Sequence, residues 1–489
     1  MNLGIDLGTS EVKVVLCDQN GEVLGSASRP LRVSNPYPLW SEQNPLDWWQ
    51  ATDEALLALR AQEPTLMSGV ASIGLTGQMH GATVMDAAGE VLRPAILWND
   101  GRSAAQCLAL EKAVPQSREI TGNIAMAGFT APKLLWLREN EPTVFRRIHK
   151  VLLPKDWLRL RLCGELFSDM SDASGTLWLD VGRRGWSDPM LAACDLDSSH
   201  MPALREGVEP AGELSTAIAN RWGLTHTVII AAGGGDNAAS AVGMGATQAG
   251  QGFMSLGTSG VVFVVTDKFC PRPQDAVHAF CHAVPRRWHQ MSVMLSCGAS
   301  MTLLARVLGR DVSTLIAMAD ALSLDTKAAA PLFLPYLSGE RTPHNNPRAS
   351  GVLFGLNATH GDAELAYAVM EGVAFSMADG VCALRDAGTS IGELRLVGGG
   401  SRSDGWSQLV ASATGVNLIR EEGAEIGAAL GAAYLGRAAF CGALPVRRSK
   451  PVRQFPADSP DADLLVPRLE RFRRLYPAIA PEFARAWTG

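Results

Sequence analysis

The chain has 489 residues, of which 47% are apolar and 19% are charged, a composition typical of a globular protein with a substantial core. This length exceeds the size at which a single hydrophobic core stops growing, so we expect two domains, residues 1–245 and residues 246–489. The net charge of −6 gives no electrostatic reason to expect binding to nucleic acid or to an anionic membrane.

The location of the protein is predicted from its cysteines and its apolar segments. The nine cysteines contain no Cys-x-x-Cys pair, which favours reduced thiols over a disulfide framework. The N-terminus shows no basic segment followed by an apolar one, so no signal peptide is predicted. The uncharged run Ile426–Gly436 is too short to span a bilayer and is interpreted as a buried helix. We therefore expect a cytoplasmic protein with no membrane partner.

The first hundred residues predict strands followed by a helix. The first fifty contain a three-strand meander whose second turn carries Asn20-Gly21, a hairpin signal. Asn44-Pro45 then predicts the cap and the first turn of a helix that ends near Leu59. The apolar run Val70–Leu75 predicts a buried strand. Strands and helices therefore alternate from the start, which indicates an α/β fold.

Two later segments combine an apolar strand with a run of glycines. Thr227–Ala232 runs into three glycines and Asp236, and Glu393–Val397 runs into Gly398–Gly400. A helix-compatible segment follows each run. A strand, a glycine turn and a helix together let a ligand approach backbone N–H groups, so both turns are candidate binding sites.

The tetrapeptide Leu-Gly-Thr-Ser occurs at Leu7–Ser10 and again, about half the chain later, at Leu256–Ser259. Each copy lies between two strand-like runs, which predicts a hairpin with N–H and hydroxyl donors at its tip. Asp6 precedes the first copy and Ser255 the second, so only the first tip carries a carboxylate suited to Mg²⁺. Two such tips predict two related domains that hold one phosphate chain. The alternative is a chance repeat of four common residues.

Asp236 is the first candidate catalyst. It follows three glycines at the end of an apolar strand, where side chains face a crevice. A carboxylate at this position can accept the proton of an attacking hydroxyl, as in the phosphorylation of a sugar. The alternative is a helix N-cap, a common role for Asp after a glycine turn.

Gln78, Met79 and His80 are candidate sugar-binding residues because they close a predicted buried strand with two polar groups and one soft apolar group. A sugar pocket needs directional donors and acceptors for hydroxyls and an apolar face for C–H surfaces. The alternative for His80 is a core histidine bonded to a backbone carbonyl.

Trp98, Asp100 and Arg102 form a similar mixed cluster, for which the alternative is a surface ion pair beside a core tryptophan. Lys13 lies one strand beyond the first Gly-Thr-Ser tip and is a candidate phosphate ligand. A solvated strand lysine is the alternative for this residue. All four residues are kept as binding candidates.

One rival motif is a degenerate dinucleotide-binding fingerprint. It is formed by Gly398-x-Gly400-x-x-Ser403, with Glu421 about twenty residues later. However, Ser replaces the third glycine, and no pair of βαβαβ halves follows the motif. The sequence therefore argues against a nicotinamide cofactor.

A second rival motif is a zinc site formed by His278, Cys281, His282 and His289. The ligand spacing of regular zinc sites is absent. Strand alternation places His278 and His282 on one face and Cys281 on the other. A structural hairpin is therefore the favoured interpretation.

The chain resembles the FGGY carbohydrate kinases over nearly its whole length. Gly128–Asn140 is similar to the first signature of that family. The second signature is matched by Gly351–Leu356 together with Glu364-Leu365 and Ala368–Glu371. Within the family the chain looks most like the xylulokinase branch. The segments that carry this similarity are Trp40–Gln43, Gly77–Gly81, Gly234–Asn237 and Leu337–Pro343.

The resemblance implies a duplicated actin-like ATPase fold, in which two ribonuclease H-like α/β domains surround a central cleft. ATP, Mg²⁺ and a sugar would bind in that cleft, and the implied reaction is phosphorylation of D-xylulose to D-xylulose 5-phosphate. Asp236 would be the general base, and Asp6 would organise Mg²⁺ and phosphate. Met79, His80 and Asn237 would contact the sugar. The implied nucleotide-binding residues are Gly8, Thr9, Ser10, Gly257, Thr258, Ser259, Gly399, Gly400 and Ser403.

Three functional hypotheses remain open at this stage. The favoured one is a pentulose kinase, and the second is an FGGY kinase for another ketose or polyol. The third is an actin-like or chaperone-type ATPase, against which the Gln78-Met79-His80 pocket and Asp236 argue, because such a protein needs no sugar base. The oligomeric state also stays open, with a homodimer as the working hypothesis.

Overall fold

The computed structural model describes residues 1–422, 427–447, 450–459 and 462–485. The strands in chain order are β1 (Asn2–Leu7), β2 (Glu11–Cys17), β3 (Val23–Pro30), β4 (Glu42–Gln43), β5 (Ser72–Gly77), β6 (Thr83–Met85), β7 (Ala95–Ile96), β8 (Lys150–Leu152), β9 (Phe167–Asp169), β10 (Leu179–Asp180), β11 (Gly185–Trp186), β12 (Ala203–Arg205), β13 (Pro210–Glu213), β14 (Ile229–Ala231), β15 (Gly234–Gly235), β16 (Gly252–Leu256), β17 (Gly260–Thr266), β18 (His278–Cys281), β19 (Trp288–Met294), β20 (Leu332–Leu334), β21 (Val352–Phe354), β22 (Leu394–Val397), β23 (Leu418–Glu421) and β24 (Pro451–Phe455).

The helices are separated in the sequence by these strands and by short turns. In chain order they are α1 (Pro45–Gln62), α2 (Pro64–Ser68), α3 (Ala104–Ala113), α4 (Ser117–Thr121), α5 (Thr130–Asn140), α6 (Pro142–Phe145), α7 (Pro154–Cys163), α8 (Met170–Ser174), α9 (Asp188–Ala192), α10 (Thr216–Trp222), α11 (Asp236–Gly243), α12 (Gly298–Leu308), α13 (Val312–Asp320), α14 (Leu324–Ala329), α15 (Asp362–Asp386), α16 (Asp404–Thr414), α17 (Gly427–Cys441) and α18 (Ala462–Arg485). Turns of 3₁₀ helix occupy Ser198–His200, Pro273–Asp275 and Gly399–Arg402.

Two large sheets repeat one topology. In the first sheet, β1, β2 and β3 form an antiparallel meander, β1 and β14 run parallel to β5, and β13 closes the edge antiparallel to β14. In the second sheet, β16, β17 and β19 form the meander, β16 and β23 run parallel to β22, and β24 closes the edge. The β18 strand adds one more member beside β19. The predicted duplication of an α/β unit is therefore confirmed.

Both Gly-Thr-Ser segments are hairpin tips, as the sequence predicts. The first joins β1 to β2, with Leu7 paired to Val12 as the last pair before the turn. The second joins β16 to β17, with Leu256 paired to Gly260. Each tip therefore projects from the first hairpin of its sheet, at the same topological position.

The α17 helix comes from the second half of the sequence but packs on the first sheet. A Cβ atom on Gly4 of β1 would lie 1.9 Å from the carbonyl oxygen of Ala429, and one on Gly74 of β5 would lie 1.7 Å from that of Ala432. Likewise, a Cβ on Gly431 would lie 1.7 Å from the carbonyl oxygen of Ala239 in α11. Helix backbone therefore touches strand and helix backbone directly. The predicted buried helix is confirmed from Gly427 onwards, and Ile426 lies outside the described residues.

The second half is organised around α15, which lies in the core of that half. The helix is long and apolar enough to cross a membrane, but its apolar window is 89% buried inside the protein, as in the core helix of a folded domain. Arg468 of α18 donates to both carboxylate oxygens of Glu371 at 2.6 Å and ties the C-terminal helix to α15. Because both side chains are buried, this ion pair fixes the position of α18.

Two predicted boundaries can be compared with the observed ones. Asn44 caps α1 by accepting the N–H of Leu46, as predicted. The predicted strand Thr227–Ala232 is shorter, because only Ile229–Ala231 pair as β14, and Gly234–Gly235 then form a second short strand against β5. The glycine run thus extends the sheet edge by two residues before α11 begins.

We predict that Gly431→Ala destabilises the protein although alanine is the better helix former. The added methyl would collide with the backbone of α11, and overpacking of this kind costs about 1–3 kcal/mol. Urea unfolding measures the change. The control is Gly185→Ala, where a Cβ meets nothing within 4 Å. A Gly431→Ala variant as stable as the wild type would contradict the close contact between the helices.

Candidate active site

A cavity of about 270 Å³ lies between the two sheets. Asp6 and Lys13 line it from the first hairpin, and Ser255 lines it from the second. Asp6 and Ser255 hold equivalent positions before their Gly-Thr-Ser tips, so the duplication places a carboxylate and a hydroxyl on one cavity. The other lining residues are Asn237, Ser240, Met244, Phe253, Val261, Val397, Gly427, Ala428 and Ala429.

The carboxylates of Asp6 and Asp236 interact electrostatically across this region. Burial, reinforced by repulsion from Asp236, raises the pKa of Asp6 to about 7, while the Lys13 ammonium opposes the rise. Burial also raises the pKa of Asp236, against hydrogen bonds from Asn237. The backbone N–H and side-chain amide of Asn237 donate to Asp236 Oδ1 at 2.7 and 2.9 Å. Two half-buried carboxyl groups therefore interact near one lysine.

Asp236 is the first residue of α11, and Gly235 rather than Asp236 is the N-cap. The N–H of Gly235 donates to Ser171 Oγ at 3.0 Å, and Ser171 Oγ in turn donates to Asp169. A Cβ on Gly235 would lie 2.9 Å from Met79 Sδ, so Met79 packs directly against this turn. The structure therefore places Met79 against Gly235, the residue that precedes Asp236.

A buried charged cluster lies behind the turn and escaped the sequence interpretation. Lys155 Nζ lies 2.6, 2.7 and 3.2 Å from carboxylate oxygens of Asp156, Asp169 and Asp172. Arg159 pairs with Asp156 and also donates to the carbonyl of Ala232, just before the glycine turn. Burial raises the pKa of Asp172 well above its usual range, against the attraction of Lys155.

His80 has a defined tautomer. Its Nδ1 lies 2.6 Å from the carbonyl oxygen of Gly175, so Nδ1 carries the proton and donates it there. Burial lowers the pKa of His80 to about 3, so the ring is neutral at physiological pH. The Nε2 atom is then a hydrogen-bond acceptor. The predicted alternative, a histidine bonded to a carbonyl, is thus confirmed for Nδ1.

The backbone at His80 is held by residues of the first signature segment. His80 has a φ of 68°, an uncommon conformation for a residue other than glycine. Its carbonyl oxygen accepts hydrogen bonds from Lys133 Nζ at 2.8 Å and from Thr130 Oγ1 at 3.1 Å. Phe129 packs edge-on against the imidazole, with 4.8 Å between ring centroids. From the sequence this segment was identified only as a family signature, and its role in positioning His80 was not predicted.

Two of the predicted sugar ligands, Gln78 and Trp98, form hydrogen bonds with the first Gly-Thr-Ser tip. Thr9 Oγ1 donates to Gln78 Oε1 at 3.2 Å and accepts from Trp98 Nε1 at 3.0 Å. Gln78 Nε2 donates to Gly8 O and to Gln43 Oε1. The amide of Gln78 is therefore bound to the tip and to Gln43, and Trp98, which is 47% exposed, stands beside the tip.

Asp100 and Arg102 form a buried ion pair instead of a surface one. Two guanidinium nitrogens of Arg102 lie 2.9 and 2.7 Å from the carboxylate of Asp100, which also accepts the N–H of Ser41. The guanidinium stacks 3.5 Å above the ring of Trp40 and pairs with Glu42. Asp100 and Arg102 therefore already have partners, and both hold the segment around Trp40 in place.

The second tip lies beside the late glycine turn. Its carbonyls at Gly257 and Thr258 accept N–H groups from Gly298 and Cys297 at the start of α12. A Cβ on Gly398 would lie 2.7 Å from the carbonyl carbon of Leu256, so the turn packs against the tip. Gly399 faces open space, and Gly400 packs on Leu256. The structure thus brings the predicted nucleotide residues of the second half together.

Of three predicted nucleotide-binding serines, one caps a helix and two are exposed. Ser403 caps α16 by accepting the N–H of Trp406 at 3.0 Å. Ser10 and Ser259 are exposed at their tips. The candidate zinc residues lie on and beside the hairpin of β18 and β19, as the favoured interpretation predicted. Within the described residues, no group of three or more His, Cys, Asp or Glu side chains could hold a metal ion.

Comparison with known proteins agrees with this architecture. Residues 1–243 match the N-terminal domain of the FGGY family of carbohydrate kinases, and residues 252–440 match its C-terminal domain. The xylulose kinase of Escherichia coli K12 is 52% identical over 491 residues, which cover 99% of this chain and all of that protein. The solved "xyloylose kinase" of Brucella ovis is 47% identical with a TM-score of 0.95, covering 98% of this chain and 99% of that one.

The duplicated fold, with its cavity between two Gly-Thr-Ser hairpins, is that of a two-domain sugar kinase. The chain belongs to the FGGY family of carbohydrate kinases, and the resemblance inferred from the sequence is confirmed. It is accordingly a phosphotransferase of the actin-like ATPase fold.

We predict that Asp6→Asn stabilises the folded protein, and more so as the pH rises. The folded-state pKa of Asp6, about 7, exceeds its ordinary value of 3.8. Ionisation of Asp6 therefore lowers the stability of the folded protein as the pH rises through this range, and has no effect below about pH 4. The gain in unfolding free energy should grow between about pH 4 and pH 7 and reach roughly 2–4 kcal/mol at pH 8.

Urea unfolding at pH 5 and pH 8 measures this difference. Asp86→Asn is the opposite-sign control, because the backbone N–H of Glu90 lowers the pKa of Asp86. That variant should lose stability at pH 8. An Asp6→Asn variant no more stable than the wild type at pH 8 would show that the ionised Asp6 carboxylate does not destabilise the folded protein.

Proposed function

We propose that this protein phosphorylates D-xylulose with ATP to give D-xylulose 5-phosphate and ADP. The observation that carries the proposal is the shared cavity, on which Asp6, Lys13 and Asn237 from the first half meet Ser255 from the second. High identity to proteins named xylulose kinase over nearly the full chain supports the choice of sugar. All nine cysteines are free, which fits an enzyme of the reducing cytoplasm.

The nucleotide is proposed to lie along the second half, with its phosphates between the tips. Gly399 offers an open backbone surface for the nucleoside, and Gly400 beside it packs against Leu256, next to the Gly257-Thr258-Ser259 tip. Gly8, Thr9 and Ser10 offer N–H and hydroxyl donors from the other side, and Lys13 adds a positive charge. Donors fixed in place before the reaction stabilise the charge of phosphoryl transfer without reorganisation.

The donor set at the cavity fits Mg²⁺. Burial raises the pKa of Asp6, the carboxylate of Asp236 adds to the rise, and Lys13 opposes it, so a further cation would stabilise ionised Asp6. Mg²⁺ binds through one or two carboxylates, waters and substrate phosphates, and needs no cluster of protein ligands. Asp6 is therefore the proposed protein ligand, and the ion would neutralise charge on the phosphates.

Asp236 is proposed to act as the general base on the sugar hydroxyl. Burial makes this carboxylate a stronger base than an ordinary aspartate, and Asn237 holds it in one orientation. The Nε2 of His80 would accept a hydroxyl hydrogen bond, and Met79 would contact C–H surface. Asn237 would also contact the sugar. Approach of the two proposed domains, residues 1–245 and 246–489, would exclude water as a competing acceptor.

Asp236→Asn tests the base. An amide cannot accept the hydroxyl proton, so kcat should fall about 10²- to 10⁴-fold, the usual contribution of a general base. The dissociation constant for the sugar should change little, because the amide keeps the shape and one acceptor oxygen. An ADP-release assay measures kcat and calorimetry measures sugar binding. Asp47→Asn, at an exposed position in α1, is the matched control. Near wild-type kcat in Asp236→Asn would refute the role.

A substrate panel tests the sugar. D-xylulose should give the highest kcat/KM among D-ribulose, L-ribulose, L-xylulose, glycerol and D-gluconate, measured as ADP release at saturating ATP. A better rate with another sugar would replace the pentulose assignment by a different FGGY specificity. ATP turnover that responds to no sugar but rises with unfolded protein would instead support a chaperone-type ATPase.

A further inference from the structure

Arg341 belongs to the segment Leu337–Pro343, which marked the family branch in the sequence but has no assigned role. Its backbone is firmly anchored. Glu340 Oε1 accepts the N–H groups of Leu295 at 3.0 Å and of Arg341 itself at 2.7 Å. Thr342 donates its N–H to the carbonyl of Val293 and its hydroxyl to that of Ala276. The side chain of Arg341 is therefore presented from a fixed position in the second half.

The guanidinium of Arg341 has a neutral partner. Its Nη1 donates to Nε2 of His278 at 3.2 Å. His278 Nδ1 lies 3.0 Å from Asn123 Oδ1, whose amide nitrogen donates to the carbonyls of Thr121 and Ala279, so Nδ1 carries the proton. The pKa of His278 is lowered well below its usual range, by burial first and by Arg341 second. The histidine is thus uncharged and accepts through Nε2.

No carboxylate in the described parts of the chain forms a salt bridge with Arg341. Its neighbour Glu340 directs Oε1 to backbone N–H groups. Burial lowers the pKa of Arg341, and the charge of Glu340 opposes that shift. Among the described residues, the half-buried guanidinium has no carboxylate in direct contact, and four of its five N–H donors remain for another partner.

The position of Arg341 relative to the sugar pocket follows from an aromatic cluster. His278 packs on Phe129 and Phe280, with 5.7 and 5.4 Å between ring centroids. His80 packs on the same two rings, at 4.8 and 6.3 Å. Arg341 is close enough to His80 for its charge to lower the pKa of that residue. Arg341 therefore reaches, from the second half, the side of the pocket that His80 forms from the first half.

We propose that Arg341 is a sugar-binding residue, whose free N–H groups donate to an oxygen of the ketose on the side of the pocket that His80 occupies. The inference rests on the proposed function and adds a contact from the second half to a pocket otherwise built by the first. The oxygen that these donors bind is one of the hydroxyl oxygens at C1, C3 or C4, which the ketose presents along its chain. The neutral His278 fixes the guanidinium without satisfying its charge, so the sugar would complete the set of acceptors.

The first test compares kinetic constants. Arg341→Gln should raise the KM for D-xylulose about 10- to 100-fold, the range expected for loss of a charge-assisted hydrogen bond, while the KM for ATP changes less than about twofold. Arg341→Lys keeps the charge and should recover part of the loss, and it serves as the test if the glutamine variant does not fold. Arg310→Gln is the control, because that arginine pairs with Asp362 on the surface. A larger rise in the KM for ATP than for the sugar would overturn the proposal in favour of a phosphate contact.

The second test separates direct contact from structural support. The wild type and Arg341→Gln are compared on D-xylulose and on its 1-deoxy, 3-deoxy and 4-deoxy analogues. If Arg341 binds one of these oxygens, removing that oxygen should cost the wild type at least fivefold in kcat/KM and the variant almost nothing, because the interaction is already lost. Equal losses for all three analogues in both proteins would overturn the proposal. If the panel above replaces D-xylulose by another sugar, the deoxy forms of that sugar are used, so the two proposals fail independently.

Discussion

Direct backbone contact between α17 and the first sheet is the constraint on which the rest of the structure depends. At Gly4 and Gly74, carbonyl groups of α17 take the space that a Cβ would need, and at Gly431 of α17 the carbonyl group of Ala239 in α11 does so. The contact joins a helix of the second half to the strand that contains Asp6 and to the helix that begins with Asp236. The cavity between the sheets is bounded by the first turn of the same helix.

Electrostatics then determine what this cavity can do. Burial raises the pKa values of Asp6 and Asp236, and repulsion from Asp236 adds to the rise at Asp6, a combination that suits the proposed divalent cation and the proposed proton acceptor. The turn before Asp236 is held by hydrogen bonds to Ser171 and Arg159, members or neighbours of a buried charged cluster. A buried cluster of this kind is weak evidence for stability, but it fixes the turn in one position. Rigid support of this kind suits a base that must meet a hydroxyl at hydrogen-bond distance.

Sequence patterns predicted the residues that are repeated or adjacent in the chain. The Gly-Thr-Ser hairpins, the cap at Asn44 and the turn before Asp236 follow from local rules of backbone geometry, and all three are present. Local rules failed where a partner comes from a distant segment. Gln78 was predicted to face the sugar, yet its amide binds the first tip. For Asp100 and Arg102 the alternative was an ion pair at the surface, yet the pair is buried, because the segment around Trp40 covers it.

The sequence by itself determined the α/β class, the duplication, the family and the candidate base, since each depends on patterns within short segments. Only the tertiary structure decided that α17 packs on the first sheet, that Lys133 and Thr130 hold His80, and that Arg341 reaches the same aromatic cluster from the second half. The physical reason is that burial and charge pairing are properties of positions in space. Residues such as Asp169 and Gly235 are far apart in the chain, and nothing in their local patterns encodes the contact that connects them through Ser171.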